Sequence, residues 1–191
     1  MKCSEICALI EQEYGTEYAC DWDNVGLLAG RSTKEVKKIL LSLDATDEVV
    51  RMAAEGGYDM LITHHPMLFS AIKRVTDQDM NGRRLLELIR NDISYYAMHT
   101  NYDTRGMADL AARLMGLTEC AVLEEVKDGE GIGRVGKLPH PMTLRECGEQ
   151  VKVAYGIPNV RLFGDPDTQV SLVGICPGAG KSTMPLALGF G

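Results

Sequence analysis

The sequence predicts an α/β protein with a largely parallel sheet, followed by a second α/β unit. Two patterns predict it. Short apolar runs at 39–43, 59–63 and 93–98 alternate with segments of helical periodicity. Strands that alternate with helices in this way imply right-handed βαβ units. From about residue 120 the texture changes to further short strand-like runs around one helix, so residues 1–120 are read as a first α/β unit and 121–191 as a second.

Taken in order, Ser4 is the expected cap of a first helix with Ile6, Leu9, Ile10 and Tyr14 on one face, closed by Gly15. Trp22 to Leu27 reads as a loop or irregular strand, and Ile39 to Leu43 as a buried strand. Thr46-Asp47-Glu48 caps a helix whose inner face is Val49, Val50, Ala53 and Ala54, stopped by Gly56-Gly57. A strand at 59–63, a helix over about 80–91, a strand at 93–98 and a helix from Gly106 to Leu117 complete the first unit. In the second, Val122–Val126, Gly133–Leu138, Val160–Phe163 and Val170–Cys176 read as strands. Thr143-Leu144-Arg145-Glu146 is a capping box opening a helix that runs to about Tyr155. The apolar, uncharged segment 184–191 reads as a helix cut short, leaving the second unit incomplete.

Composition narrows the function classes. The 191 residues are 45% hydrophobic and 25% charged, and the net charge of −7 argues against nucleic acid or an anionic membrane as a generic partner. No run reaches the length of a membrane span, and residues 1–7 lack the blocks of a signal peptide, so a cytoplasmic location is expected. The six cysteines show no metal-binding spacing and read as small hydrophobes.

The chemistry concentrates at strand ends. Asp59-Met60-Leu61-Ile62-Thr63-His64-His65-Pro66 delivers two of the four histidines just beyond one apolar run. His99-Thr100-Asn101-Tyr102-Asp103 follows the next. Ligands of open α/β sheets bind beyond the carboxyl ends of strands, and imidazole with carboxylate suits a transition metal. His64, His65 and Asp103 are therefore the candidate metal ligands. Adjacent strand residues face opposite ways, so the two histidines need a turn there, one ring to each of two neighbouring metals with Asp103 bridging. The alternative is that His65 caps the strand end and His64 packs against a helix. His99 is either a further ligand or a residue that orients Asp103, and His140, between two prolines, reads as a solvated loop histidine.

Two glycine-rich segments invite nucleotide readings that their context opposes. Gly131 to Gly136 fits Gly-x-Gly-x-x-Gly, but the next helix start is Thr143, so it reads as a strand. Gly178-Ala179-Gly180-Lys181-Ser182-Thr183 resembles the end of a phosphate-binding loop with its first glycine out of register. No cofactor-binding residue is assigned to either segment.

Six segments appear in an order that resembles the Nif-three-like family, whose members are often named GTP cyclohydrolase I type 2 homologues. They are Trp22 to Leu27, Leu43 to Thr46, Ile62 to Pro66, His99 to Asp103, Gly133 to Gly136 and Cys176 to Ser182. The resemblance runs from about residue 4 to 188. It implies an α/β protomer of two related halves with largely parallel sheets, assembled in a toroidal hexamer, with a dinuclear metal centre whose ligands in this chain are His64, His65 and Asp103; such donors suit a divalent transition metal (zinc, manganese, iron, nickel or cobalt). It also implies a later histidine and glutamate beyond position 191, hence weaker metal binding and little or no turnover in this shortened form. The expected function is a metal-dependent hydrolase acting on a small molecule, similar to GTP cyclohydrolase I type 2, with no catalytic residue assigned. The alternative is a metal-binding assembly or interaction protein without turnover.

Overall fold

The computed structural model describes residues 1–190, and it divides into two compact units, Met1–Tyr102 and Asp103–Gly191. The α/β class holds in both, but the second unit starts earlier than the expected boundary at 120. Residues 103–120 join it because the Tyr155 hydroxyl donates to the Ala111 carbonyl (3.0 Å) and the Gln150 amide to that of Met115 (2.9 Å).

In the first unit, helix α1 (Cys3–Glu13) precedes strands β1 (Gly26–Ala29) and β2 (Ile39–Ser42), helix α2 (Asp47–Glu55), strand β3 (Met60–Thr63), helix α3 (Met80–Arg90), strand β4 (Ser94–Ala97) and the single turn α4 (Thr100–Tyr102). The cap of α1 is Lys2 rather than Ser4: Glu5 reaches back to accept from the Lys2 backbone N–H at 2.7 Å. Thr46 caps α2 as its sequence predicts, accepting from Val49 N at 3.2 Å.

The sheet order is β1-β4-β3-β2, with β2, β3 and β4 parallel and β1 antiparallel on β4. All four residues of β3 are buried because both faces of the sheet are covered. Leu61 and Tyr95 face one way, into a core with Val50, Ala53, Leu88 and Ile93; Met60, Ile62 and Tyr96 face the other, against Cys3, Cys7 and Val36. This is the period-two alternation of a strand read through its packing. Each large apolar side chain so buried contributes roughly 1.5–3 kcal/mol. β2 is an edge strand rather than a buried one, and Leu41 is 72% exposed.

The second unit opens with a π-helical turn (Asp103–Met107) and helix α5 (Ala108–Leu114), followed by β5 (Thr118–Lys127), β6 (Glu130–Thr143), α6 (Leu144–Tyr155), β7 (Gln169–Ile175) and α7 (Met184–Leu188). Its sheet, β5-β6-β7, is antiparallel throughout, so parallel pairing is confined to the first unit. The cause is local. Asp128 and Gly129 (φ 53° and 78°) form a two-residue turn of the kind that returns a strand on itself. Met115, Leu138, Met142 and Cys147 make the core. The capping box at Thr143 and Glu146 is present, and Gly156 ends α6 in the left-handed conformation (φ 63°).

Val160–Phe163 forms no strand. Leu162 packs against Gly148 of α6 instead, and Phe163 is 85% exposed. His140 is exposed as expected, though within β6 rather than a turn. Gly131 to Gly136 is strand, as read from sequence. Gly131 has a packing reason: a Cβ there would lie 2.0 Å from the Glu124 carbonyl oxygen on β5. In the segment 184–191, α7 exposes Met184 and Leu188, while Gly191 lies outside the described residues. Among the described residues, no helix is long and apolar enough to cross a membrane.

Candidate metal centre

β3 hands the chain to a turn after Thr63. His64 N donates to the Ser42 carbonyl (3.3 Å) and His65 N to that of Leu43 (3.0 Å), which holds the turn on the end of β2. Beneath it, the buried Thr63 and Tyr95 hydroxyls lie 2.9 Å apart. Both are within hydrogen-bond distance of the His65 carbonyl, at 2.8 and 3.2 Å, and Tyr95 accepts from Met67 N at 2.7 Å. Because the strand has ended, the two histidines escape its alternation, and their ring centroids come within 4.9 Å.

His99, beyond β4, completes the group. Its ring centroid is 5.0 Å from that of His64 and 5.5 Å from that of His65. One nitrogen from each of the three rings lies within 4.8 Å of the others. Each Nδ1 meets a partner that only accepts: the Met98 carbonyl for His64 (3.0 Å), Asp44 for His65 (2.8 Å), and both oxygens of Asp23 for His99 (3.0 Å each). An acceptor-only partner places the proton on Nδ1, so in the neutral ring the lone pair is on Nε2. Burial, then the neighbouring His99 and His65, push the His64 pKa below the usual histidine range, which favours the neutral form.

Asp23 is a wholly buried carboxylate. Burial alone would raise its pKa, but His99, the Thr100 hydroxyl and the backbone N–H groups of Thr100 and Asn24 outweigh that and hold it at about 2. Trp22, 59% exposed, stands beside the site with its ring 6.1 Å from His99 and 5.7 Å from Phe69.

The structure thus brings together His64, His65 and His99. Asp103, the remaining sequence candidate, is half-buried and opens the π-helical turn of the second unit. That turn is tied down by Arg134, whose Nη2 donates to the Thr104 carbonyl at 3.3 Å. Asp23 and Asp44 are absent from a ligand reading of the sequence, because isolated aspartates carry no spacing signal; both sit in segments quoted for the family resemblance. The donor set fits a transition metal. Three imidazoles with their second nitrogens anchored on carboxylate or carbonyl are the arrangement that orients histidine ligands.

The family model for Duf34/NIF3 (NGG1p interacting factor 3) matches residues 1–190. The chain belongs to that family. A protein of Clostridium perfringens named GTP cyclohydrolase 1 type 2 homolog is 35% identical over 185 residues, spanning 95% of this chain and 71% of the relative. A Clostridium acetobutylicum protein of the same name is 33% identical, over 95% of this chain and 69% of its own length. Among solved structures, a hypothetical protein of Staphylococcus aureus superposes with a TM-score of 0.88 at 27% identity, covering 100% of this chain and 76% of that one. Reduced HcgD from Methanocaldococcus jannaschii gives a TM-score of 0.73 at 27% identity, over 97% of this chain and 74% of its own.

Proposed function

We propose that this chain binds divalent transition metal at His64, His65 and Asp103, with His99 as a further ligand or close neighbour, and that it serves as a metal-dependent hydrolase. The observation that carries the reading is the convergence of three imidazoles whose Nδ1 atoms are all engaged by acceptors. A centre of two metals matches the pairing of His64 with His65. Zinc, manganese, iron, nickel and cobalt all suit such ligands. When bound, a metal pair supplies Lewis acidity and lowers the pKa of the attacking water.

The residues of the chain prepare that chemistry. Asp44 and Asp23 fix the tautomers of His65 and His99, and the Met98 carbonyl fixes that of His64. Thr63 and Tyr95 hold the turn that aims His64 and His65. The name shared by the relatives makes GTP the first substrate to try, with phosphoesters as the wider class.

The test is metal content per chain after gel filtration, with oligomer size read from the same run, followed by assays with GTP and a phosphoester panel. Turnover that needs added metal and disappears in His65→Ala supports the hydrolase. Metal retained in a defined ring without turnover supports the non-catalytic assembly, and no metal retained overturns the reading.

A further inference from the structure

Two cavities on the first unit share a wall residue, Arg84. One, of about 330 Å³, is lined by Asp44, Thr46, His65, Met67, Asn81 and Arg84. The other, of about 320 Å³, lies between α2 and α3 and is lined by Arg51, Arg83, Arg84, Asp47, Val50 and Glu87. His65 and Arg84 thus line one space, and Arg84 lines the second together with Arg51 and Arg83. Around the second cavity three arginines stand against Asp47 and Glu87, while Asp44 lines the first.

Arg84 is the ordered member. Its side chain is 15% exposed, and its Nε donates to Asp47 at 2.6 Å; Arg83 approaches the same carboxylate at 3.8 Å. The Arg84 hydrogen bond first, and the charges of Arg84, Arg83 and Arg51 after it, hold the Asp47 carboxyl below its ordinary range. Asp47 is thus an internal competitor for an incoming anion. Guanidinium forks match phosphate oxygens in pairs, and arginines from two helices around a space of this size suit a tetrahedral anion better than a single planar carboxylate.

We propose that the cavity between α2 and α3 binds the phosphate of a small phosphate-bearing substrate, with Arg84, Arg83 and Arg51 on the anion and the reacting group toward His65. Only the reacting end rests on the metal reading above; the anion end stands on the arginines alone.

The experiment is titration calorimetry of the full chain with inorganic pyrophosphate, before and after chelation, with metal content measured on each sample. Binding is expected to survive chelation and to weaken by about tenfold or more in Arg84→Gln and in the double variant Arg51→Gln/Arg83→Gln. The double variant changes two exposed residues, so it keeps the test decisive if Arg84→Gln folds poorly. Asp47→Asn is expected to tighten binding, whereas a purely structural role of the Arg84–Asp47 pair would make every variant weaken it. No binding, or binding that vanishes on chelation and ignores the arginine variants, overturns the proposal. Arginine-dependent binding by a wild-type chain that retains no metal would overturn the metal reading and leave this one standing.

Discussion

Both carboxylate oxygens of Asp23 stand 3.0 Å from Nδ1 of His99, 76 residues away in sequence, and the carboxylate is wholly buried there. The pairing joins the loop before β1 to the end of β4. It also carries a pH dependence. The Asp23 pKa, about 2 in the folded chain against 3.8 for an ordinary aspartate, means that the folded state releases this proton more readily than the unfolded one. The resulting stability is fully present above about pH 4 and is lost as pH falls from 4 toward 2, a contribution of about 2 kcal/mol. Urea denaturation at pH 7 and at pH 3 should show the difference for the wild type and a smaller one for Asp23→Asn.

His64 acts in the same sense, at higher pH. Its pKa is depressed by burial and by its two histidine neighbours, so the folded state binds a proton here less readily than the unfolded one. Its contribution to stability therefore rises with pH through the histidine range and falls as pH drops below the unfolded value of 6.5. An NMR titration of the imidazole protons should place the His64 midpoint below that value. A midpoint above it would contradict the burial argument.

Asp44 provides a test of the metal reading that leaves all three imidazoles in place. It holds Nδ1 of His65 at 2.8 Å, and removal of such outer partners typically costs about 10–100-fold in metal affinity. Asp44→Asn should weaken zinc or manganese binding by that order, and His65→Ala by at least as much. Trp22, the only tryptophan of the chain, lies 6.1 Å from His99, so its fluorescence provides the titration signal. Equal affinity in wild type and Asp44→Asn would remove His65 from the ligand set.

Much of the first unit is legible in the sequence because its signals are local. The apolar runs at 59–63 and 93–98, the Thr46 cap and the Gly56-Gly57 stop each act within a few residues, and β3 and β4 pair in parallel as their spacing implies. The antiparallel second sheet is harder to read. The glycines at 131, 133 and 136 look like a nucleotide fingerprint, and the Asp128-Gly129 turn is a hairpin signal that apolar runs alone pass over. Val160–Phe163 has the composition of a strand but packs by side chain on α6, a tertiary outcome that local propensity does not encode. At the site, strand-end histidines are visible in sequence. Their anchors are not, because Asp23 and Asp44 reach His99 and His65 across 76 and 21 residues.

Arg134 anchors the turn that opens the second unit. Its side chain is 5% exposed, with Nε on Asp109 at 2.6 Å and Nη1 on the Gly131 and Gly133 carbonyls at 2.7 and 2.9 Å. Nη2 reaches the Thr104 carbonyl, inside the π-helical turn that begins at Asp103. Such turns are uncommon, and are frequent at functional sites. A buried arginine that satisfies three carbonyls fixes the course of that turn, and with it the backbone that carries the Asp103 carboxylate. Replacement by methionine keeps the apolar stem and strands the carbonyls, at a cost of about 3 kcal/mol. Lysine keeps the charge but not the fork. Arg134→Met should lower the denaturation midpoint, and Arg134→Lys should lower it less. If Asp103 is a ligand, both should also lose metal affinity at temperatures where they remain folded. The comparison that decides is metal titration of folded Arg134→Lys against Asp103→Asn. Lost affinity in Asp103→Asn with none in Arg134→Lys would mean that Asp103 is held by other contacts. Unchanged affinity in both would exclude Asp103 from the centre.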